Sequence, residues 1–466
     1  MNKPNKINFA GNSPSSRDVA FHMHPYTNPA QLEATGPHII NRGNGVFVHD
    51  DSGNRFYEGM SGLWCTSLGF SEPELVNAAI AQFNKLPFYH SFAGKTVDPA
   101  IELAEILISN APPAADRSHM NKVFFAASGS EANDTAMKMV WYYNAALGRP
   151  EKRKIISRKK GYHGVTMAAA SMTALAYAQD GFGLPLDFVK HTTAPDYYNE
   201  AQIDESEEDF ANRCALELEE LILAEGPDTV AALFAEPVMG AGGVIIPPAG
   251  YLNKVEAICR THDILFIVDE VITGFGRTGH WFASTYYGLK PDMMALAKGL
   301  TSGYVPMSAV MVGDRVANKL IADGGEFYHG FTYSGHPVAA AVALANLQII
   351  KDEKLVEIVR DDTGPYLAES LAPLADHSLV GEVRSFGMLA AIELVKDKAG
   401  PILFDPVGDV GVICRDYAIA GGMMMRAVRD GMIMSPPLTF GRCDIDKAVG
   451  IARMALDKTA AELGIL

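Results

Sequence analysis

The sequence predicts an α/β fold, with a mostly parallel sheet in a large domain and a smaller α+β domain beside it. The main reason is a set of short, fully apolar runs, because such runs suit strands that are buried on both faces of a parallel sheet. Residues 229–235, apolar after Thr229, and residues 264–268 and 293–297 are runs of this kind. Segments with helical spacing separate such runs, so strands and helices alternate as they do in βαβ units.

Composition and charge exclude several classes of function. The 466 residues are 48% hydrophobic and 20% charged, as in ordinary globular proteins, and they suffice for more than one domain. A formal charge of −16 argues against nucleic acid or an anionic membrane as a partner, since both require a basic surface. No apolar run approaches the roughly 20 residues that a membrane-spanning helix needs.

Cysteine and histidine usage indicates a reduced compartment and no metal. The five cysteines are scattered, odd in number and without a CxxC pair, so we expect neither disulfides nor a zinc site, and a cytoplasmic protein. His22 and His24 lie near an acidic residue, and we interpret them as structural rather than as metal ligands. Residues 1–25, rich in polar residues and proline, are expected to be flexible.

The remaining elements follow in chain order. Turn signals between residues 39 and 60 indicate a small meander of short strands. Further short strands are predicted at residues 123–125 and 154–156. The predicted helices cover residues 72–83, a run ending near residue 141, 251–261 and 339–352.

Polar turns follow several of these strands. Ser128, Gly129 and Ser130 precede a predicted helix, and a small, hydroxyl-bearing turn at a helix start is a ready anion site, although it also suits a simple N-cap. Tyr162, between two glycines, is placed to lie against a planar ligand. Trp64 lies in a predicted loop, where it either forms a binding surface or packs in the core.

Asp269 and Lys298 each follow a predicted strand directly. In open α/β sheets, ligands bind at the carboxyl ends of the strands. A lysine at an apolar site forms a Schiff base with a carbonyl, and an aspartate holds the pyridine nitrogen of pyridoxal phosphate (PLP) protonated. The alternative for these two residues alone is a surface ion pair.

The segment Gly274–Gly279 reads GFGRTG and matches the dinucleotide fingerprint G-x-G-x-x-G. That fingerprint belongs in a first strand–helix turn and opens a long apolar helix. Here no clean helical repeat follows, so an NAD-dependent oxidoreductase is retained only as an alternative function.

Together these motifs resemble those of the class III aminotransferases, in particular the ω-transaminase branch with fold type I. They occur in the family's order from about Phe21 to near the end of the chain: Ser128-Gly129-Ser130-Glu131-Ala132-Asn133, Gly161-Tyr162-His163-Gly164, Ala235-Glu236-Pro237, Asp269-Glu270-Val271, GFGRTG, Lys298 and Gly330-Phe331-Thr332.

The resemblance implies a role for each position. Lys298 would form the aldimine with PLP and carry the proton, and Asp269 would pair with the pyridine nitrogen; these two are the catalytic residues. Trp64, Phe88 and Tyr162 would line the substrate pocket, and Arg426 would bind a substrate carboxylate, with Arg429 as the second candidate. The residues that would contact the cofactor are Ser128, Gly129, Ser130, Tyr162, His163, Glu236, Asp269, Val271, Lys298, Phe331 and Thr332.

The expected function is therefore a PLP-dependent aminotransferase. It would move an amino group from a primary amine or ω-amino acid to a 2-oxo acid such as pyruvate by a ping-pong route. A non-catalytic PLP-binding protein is the second alternative. The resemblance also implies a homodimer with shared active sites, because Thr332 would complete the partner's phosphate site. We expect residues 1–65 and 336–466 in the small domain and residues 66–335 in the large PLP-binding domain.

Overall fold

The computed structural model describes residues 11–113, 120–398 and 402–465. Its helices are α1 Pro14–Phe21, α2 Pro29–Thr35, α3 Ser61–Trp64, α4 Pro73–Lys85, α5 Asp98–Ser109, α6 Gly129–Ala146, α7 Met167–Met172, α8 Ala176–Gln179, α9 Tyr197–Glu200, α10 Glu207–Glu225, α11 Tyr251–Thr261, α12 Ala283–Tyr286, α13 Asp314–Asp323, α14 Pro337–Asp352, α15 Leu355–Ile358, α16 Gly364–Leu371, α17 Asp409–Ala420 and α18 Arg442–Leu463. Its strands are β1 Ile40–Asn44, β2 Phe47–Asp50, β3 Arg55–Glu58, β4 Met120–Ala126, β5 Lys154–Arg158, β6 Val189–Thr192, β7 Val230–Ala235, β8 Leu265–Asp269, β9 Met293–Leu296, β10 Ser308–Gly313, β11 Val380–Phe386, β12 Leu389–Leu394, β13 Met423–Met424, β14 Arg426–Val428 and β15 Gly431–Met434.

A seven-stranded sheet forms the centre of the molecule, with strand order β4-β10-β9-β8-β7-β5-β6. Only β10 runs antiparallel to its neighbours β4 and β9; the other pairs are parallel. Every residue of β7, β8, β9 and β10 is buried. The predicted mostly parallel sheet, and with it the α/β fold class, is confirmed, and the fully apolar runs are the strands buried on both faces.

Helices cover both faces of this sheet. In β8, Leu265 and Ile267 belong to a core cluster on the α6 side, whereas Phe266 and Val268 belong to the cluster that includes α10, α11 and α14. Successive side chains of a strand point to opposite faces, so one apolar run serves two cores. This double burial is why the run lacks the alternation of a half-exposed strand.

Two four-stranded sheets flank the centre. The N-terminal sheet has the order β1-β2-β3-β13, so a strand from the C-terminal part of the chain closes it. The other has the order β11-β12-β15-β14. The domain boundaries at residues 65 and 335 stay a prediction.

One local expectation needs correction, and another holds. Residues 14–21 form α1, which begins at Pro14 after the Ser13 cap, so flexibility was the wrong expectation there; residues 1–10 lie outside the described residues. The GFGRTG segment forms consecutive turns and opens no long helix. Within it, Gly279 lies against the backbone of Arg360, where an added Cβ would come within 2.8 Å, so packing accounts for this glycine. In the described part of the chain, no helix is long and apolar enough to cross a membrane.

Candidate active site

Lys298 and Asp269 converge on one pocket at the carboxyl ends of two adjacent parallel strands. β8 pairs with β9 in a register that sets Asp269 opposite Ala295, three residues before Lys298. Both residues line a cavity of about 130 Å³. The pairing of an aspartate and a lysine in one crevice, expected from the sequence, is what the fold produces.

Lys298 is held in an unusual backbone conformation. Its φ is 46°, in the left-handed region that side-chain-bearing residues rarely adopt, and it begins a short 3₁₀ turn, Lys298–Leu300. Burial lowers the pKa of its ammonium group, although the nearby Asp269 opposes this shift. A lysine with a lowered pKa is more often neutral, and the neutral amine is the nucleophile and the base.

Three donors hold the Asp269 carboxylate. Asn133 Nδ2 and His163 Nδ1 both lie 2.8 Å from its Oδ2, and the backbone N–H of Val271 donates to Oδ1 at 3.0 Å. The Asn133 amide also donates to the backbone carbonyl of His163 at 2.7 Å. Asp269, Asn133 and His163 are all buried, so this carboxylate is fixed within the protein rather than solvated. We call Asn133, His163, Asp269 and Lys298 the floor of the pocket.

Asn133 was missed as a site residue by the sequence reasoning, although it stands in the motif that carries the resemblance. It lies four residues after Gly129 on α6, and residues four apart share one face of a helix. From this spacing, Asn133 could have been predicted to lie on the same face of α6 as Gly129, toward the ligand. Gly164, Ile272 and Ala297 also line the pocket without having been predicted.

The start of α6 forms one wall of the pocket. An added Cβ at Gly129 would lie 3.1 Å from Val271 Cγ1, and one at Gly164 would lie 2.4 Å from Ser130 Oγ. These glycines therefore allow close approach of the helix terminus, Val271 and the Gly164 turn. Gly129 and Ser130 line the pocket, whereas Ser128 acts as the N-cap, since its hydroxyl accepts from the Glu131 N–H at 3.2 Å.

Glu236 joins two loops behind Tyr162. Its carboxylate accepts from the backbone N–H of Tyr162 and from that of Gly240, both at 3.0 Å. It is buried, and burial raises the pKa of this carboxyl, while the nearby His163 opposes the shift. Glu236 lines the pocket, and its bonds fix the backbone that carries the Tyr162 ring.

Tyrosines and one arginine surround the pocket mouth. The Tyr26 hydroxyl lies 3.5 Å from that of Tyr162, and the rings of Tyr26 and Tyr177 meet edge to face at 6.0 Å. Arg426 is close enough to act on the pKa of Tyr162 and Tyr177, in both cases against the raising effect of burial. We call Tyr26, Tyr177 and Arg426 the rim. Tyr26 and Tyr177 had no signal in the sequence.

Arg426 is the first residue of β14, which pairs with β15 so that Arg426 stands opposite Ile433. A short edge strand therefore fixes its backbone, and a long side chain extends from it. Arg429 is exposed in the turn after this strand, with its backbone next to Gly408 and Gly411. Of the two arginines, Arg426 is the one beside the pocket.

Four other predicted residues lie outside this pocket in a single chain. Trp64 is buried in a small core cluster with Ile272, a residue that does line the pocket. Phe88 contacts the rings of Tyr333 and His336 at 5.7 Å each. Phe331 is half-buried and Thr332 exposed, on the loop before α14. Phe88 thus lies against the loop that carries Phe331 and Thr332, and none of the three lines the pocket of Lys298.

The residues of the pocket fit PLP. The aldehyde of PLP requires an amine, the pyridine nitrogen an acid partner, and the phosphate a set of N–H donors. Lys298, Asp269 and the amino terminus of α6 with Gly129 and Ser130 match these three requirements. The roles of the individual residues toward PLP stay predictions.

Comparison with known proteins gives a consistent result. The model of the family described as aminotransferase class-III matches residues 30–456. The chain is 48% identical over 446 residues to a putrescine–pyruvate aminotransferase of Pseudomonas aeruginosa, covering 96% of each chain. It is 45% identical to a mitochondrial gamma aminobutyrate transaminase 1 of Solanum lycopersicum, covering 93% of this chain and 84% of the relative. The solved omega transaminase of Pseudomonas jessenii in complex with PMP superposes with a TM-score of 0.93 at 48% identity, covering 97% and 99%.

Proposed function

Because the chain belongs to the class III aminotransferases, we propose that its amino donor is an aliphatic diamine or a terminal-amino acid of similar length, and that pyruvate is its acceptor. The coarser function is established by the family and its relatives: this is an aminotransferase that moves amino groups from amines or ω-amino acids to 2-oxo acids, with PLP as cofactor. The NAD-dependent alternative has no support in the comparisons or in the turn structure of the GFGRTG segment.

The convergence of Lys298 and Asp269 on one buried pocket is the observation that carries the assignment of roles. When bound, PLP supplies an electron sink that makes the proton on the substrate carbon removable. Lys298 Nζ would hold the cofactor and would take and return that proton, helped by its lowered pKa. Asp269, held by Asn133 and His163, would present its carboxylate to the pyridine nitrogen.

The choice of donor rests on two relatives. One is named for putrescine and pyruvate and the other for gamma aminobutyrate, and both amines carry a primary amino group at the end of a short aliphatic chain. The rim supports the same choice. Tyr26, Tyr162 and Tyr177 offer hydroxyl groups around the mouth for the distal polar end of such a donor. Arg426 offers a cation for the carboxylate of pyruvate or of an ω-amino acid.

A homodimer with shared sites is part of the proposal. Phe88, Phe331 and Thr332 lie outside this chain's own pocket, and α4 and α5 add exposed apolar side chains: Val76, Ile80, Phe83 and Ile101. Exposed apolar side chains in this number on two helices are typical of subunit interfaces. We also propose a cytoplasmic location, which is supported by five free cysteines.

Single-turnover half-reactions test the proposed substrates. Holoenzyme is mixed in turn with putrescine, 4-aminobutyrate and 1-phenylethylamine, and the loss of the cofactor's aldehyde absorption is followed. The amino form is then mixed with pyruvate or 2-oxoglutarate. We expect putrescine and 4-aminobutyrate to react with higher efficiency than the arylalkylamine, and pyruvate to exceed 2-oxoglutarate. The opposite order for either partner would refute the corresponding half of the proposal.

A further inference from the structure

A cluster of possible metal ligands lies on the N-terminal segment, apart from the catalytic pocket. His22 Nδ1 is 3.1 Å from Asp18 Oδ1, and His24 Nε2 is 2.7 Å from Asp18 Oδ2. The ligand-type atoms of all three residues lie within 4.8 Å of one another. Across residues 11–113, 120–398 and 402–465, this is the one group of three or more such residues at these distances.

Local structure accounts for the convergence. Asp18 and His22 stand four apart at the end of α1 and so face the same side. The helix stops at Phe21, His22 takes an extended conformation with φ −113° and ψ 122°, and its N–H still donates to the Asp18 carbonyl at 2.8 Å. The chain then turns, which returns His24 to the same carboxylate. The two imidazole rings consequently lie 4.3 Å apart.

We propose that Asp18, His22 and His24 bind a late first-row divalent cation, with Zn²⁺ as the reference ion. Two imidazoles and one carboxylate suit zinc and its neighbours, whereas Ca²⁺ and Mg²⁺ prefer all-oxygen sites. Zinc bonds of about 2.0–2.1 Å require ligand atoms roughly 3.3 Å apart. The three ligand atoms now lie within 4.8 Å of one another, so binding needs only a small approach.

The partial exposure of the cluster also suits an ion. The side chains of Asp18 and His24 are 21% and 24% exposed, while His22 is 60% exposed. An ion bound between them would have three protein ligands and an open side for water. Without an ion, two His–Asp pairs at this degree of exposure would each contribute little to stability.

The site would restrain the segment that reaches the pocket mouth. Tyr26 follows His24 by two residues, has a φ of 50°, and places its hydroxyl 3.5 Å from that of Tyr162. An ion that joins α1 to His24 removes freedom from this connection. The metal site rests on the three ligands alone and does not depend on the identity of the amine substrate.

Calorimetric titration of chelator-treated holoenzyme with ZnCl₂ tests the proposal. All proteins carry Cys443→Ser, because Cys443 is an exposed thiol and thiols also bind zinc. We expect one ion per chain with a micromolar dissociation constant, and at least tenfold weaker binding in Asp18→Asn and in His24→Gln. His38→Gln is the matched control. His38 Nε2 lies 3.4 Å from Asp50 Oδ2, but this pair has no third possible metal ligand at these distances among the described residues.

Hydrogen exchange gives a second readout that is independent of activity. Saturating Zn²⁺ should slow exchange of the amides in residues 18–26 in the parent and the control, but not in His24→Gln. Absence of micromolar binding, equal binding by all variants, or unchanged exchange in the parent at saturation would overturn the proposal.

Discussion

The floor and the rim of the pocket differ in how their residues are held. On the floor, Asp269 accepts three hydrogen bonds of 2.8–3.0 Å and is 3% exposed. At the rim, Tyr26 is 64% exposed, Tyr177 is 49% exposed, and their contacts are a 3.5 Å hydroxyl pair and an edge-to-face ring pair. The difference separates two tasks. A preorganised floor suits chemistry common to every substrate, and an adaptable rim suits the choice between substrates.

The largest effect is expected for Lys298→Ala. Both the nucleophile and the proton carrier are lost, so steady-state turnover should fall by at least about 10³-fold. Lys290→Ala, an exposed lysine close by in sequence, is the control and should behave as the parent does. Turnover measured with putrescine and pyruvate checks this prediction. Retention of more than a trace of activity in Lys298→Ala would contradict the catalytic role of Lys298.

Arg426→Ala should slow the reaction of substrates that carry a carboxylate and leave that of an amine without one nearly unchanged. A buried carboxylate without its partner costs about 2–4 kcal/mol. The value of kcat/KM for pyruvate and for 4-aminobutyrate should therefore fall by about 30- to 900-fold. The single-turnover reaction with 1-phenylethylamine should change little, because no carboxylate is present. Arg429→Ala is the matched control. Equal losses with all three substrates would mean that Arg426 supports the structure of β14 rather than recognition.

Asp269→Asn should damage both half-reactions alike. The new amide replaces one of the two acceptor oxygens by a donor and lacks the charge, a loss of about 1.5–3 kcal/mol for a charge-assisted bond. Rate constants for the amine and the pyruvate half-reactions, measured separately, should drop by similar factors. A loss confined to one substrate would show that Asp269 takes part in selection and would erase the distinction between floor and rim.

Glu58, which lies just before the short helix α3 that carries Trp64, makes the stability of the protein depend on pH. Burial raises the pKa of Glu58 from 4.5 to about 7, and its carboxylate accepts from the Met60 N–H at 2.9 Å. Below pH 4.5 this carboxyl is protonated in both the folded and unfolded states and has no effect. Between pH 4.5 and 7 only the unfolded state ionises, so the free energy of unfolding should fall by about 3 kcal/mol.

Urea denaturation of Glu58→Gln across this pH range tests the effect. Glutamine keeps an acceptor for the Met60 N–H but cannot ionise. The free energy of unfolding should therefore fall less between pH 4.5 and 7 than it does in the parent. Glu74→Gln, an exposed residue of α4, is the control and should leave the decline in place. An unchanged slope in Glu58→Gln would contradict the burial argument.

The smallest effect is expected for Tyr26→Phe. Its hydroxyl contact is long and solvent-exposed, so its removal should cost less than about 1 kcal/mol. KM for putrescine should rise by no more than a few-fold, with kcat unchanged. A fall in kcat of tenfold or more would mean that the rim takes part in the chemical step.

The sequence predicted the floor better than the rim for a physical reason. Asp269 and Lys298 follow apolar strands directly, and parallel strands bring their carboxyl ends to one edge. Asn133 was accessible from helical spacing but was not assigned. Tyr26, in a turn, and Tyr177, in the short helix α8, reach the mouth through tertiary packing, which no local pattern encodes. Arg426 was located by resemblance alone, and its placement in a strand rather than a loop came from pairing with β15.

The central claim is that the floor belongs to one chain, whereas Thr332 acts on the partner's pocket. Mixing two inactive variants, Lys298→Ala and Thr332→Asp, after dissociation and reassociation tests it most directly. If Thr332 serves the partner's site, each mixed dimer has one intact site, and about a quarter of parental activity should return. If Thr332 serves its own chain, every site carries a defect. No recovery, with subunit exchange verified by mass spectrometry, would contradict the shared-site account.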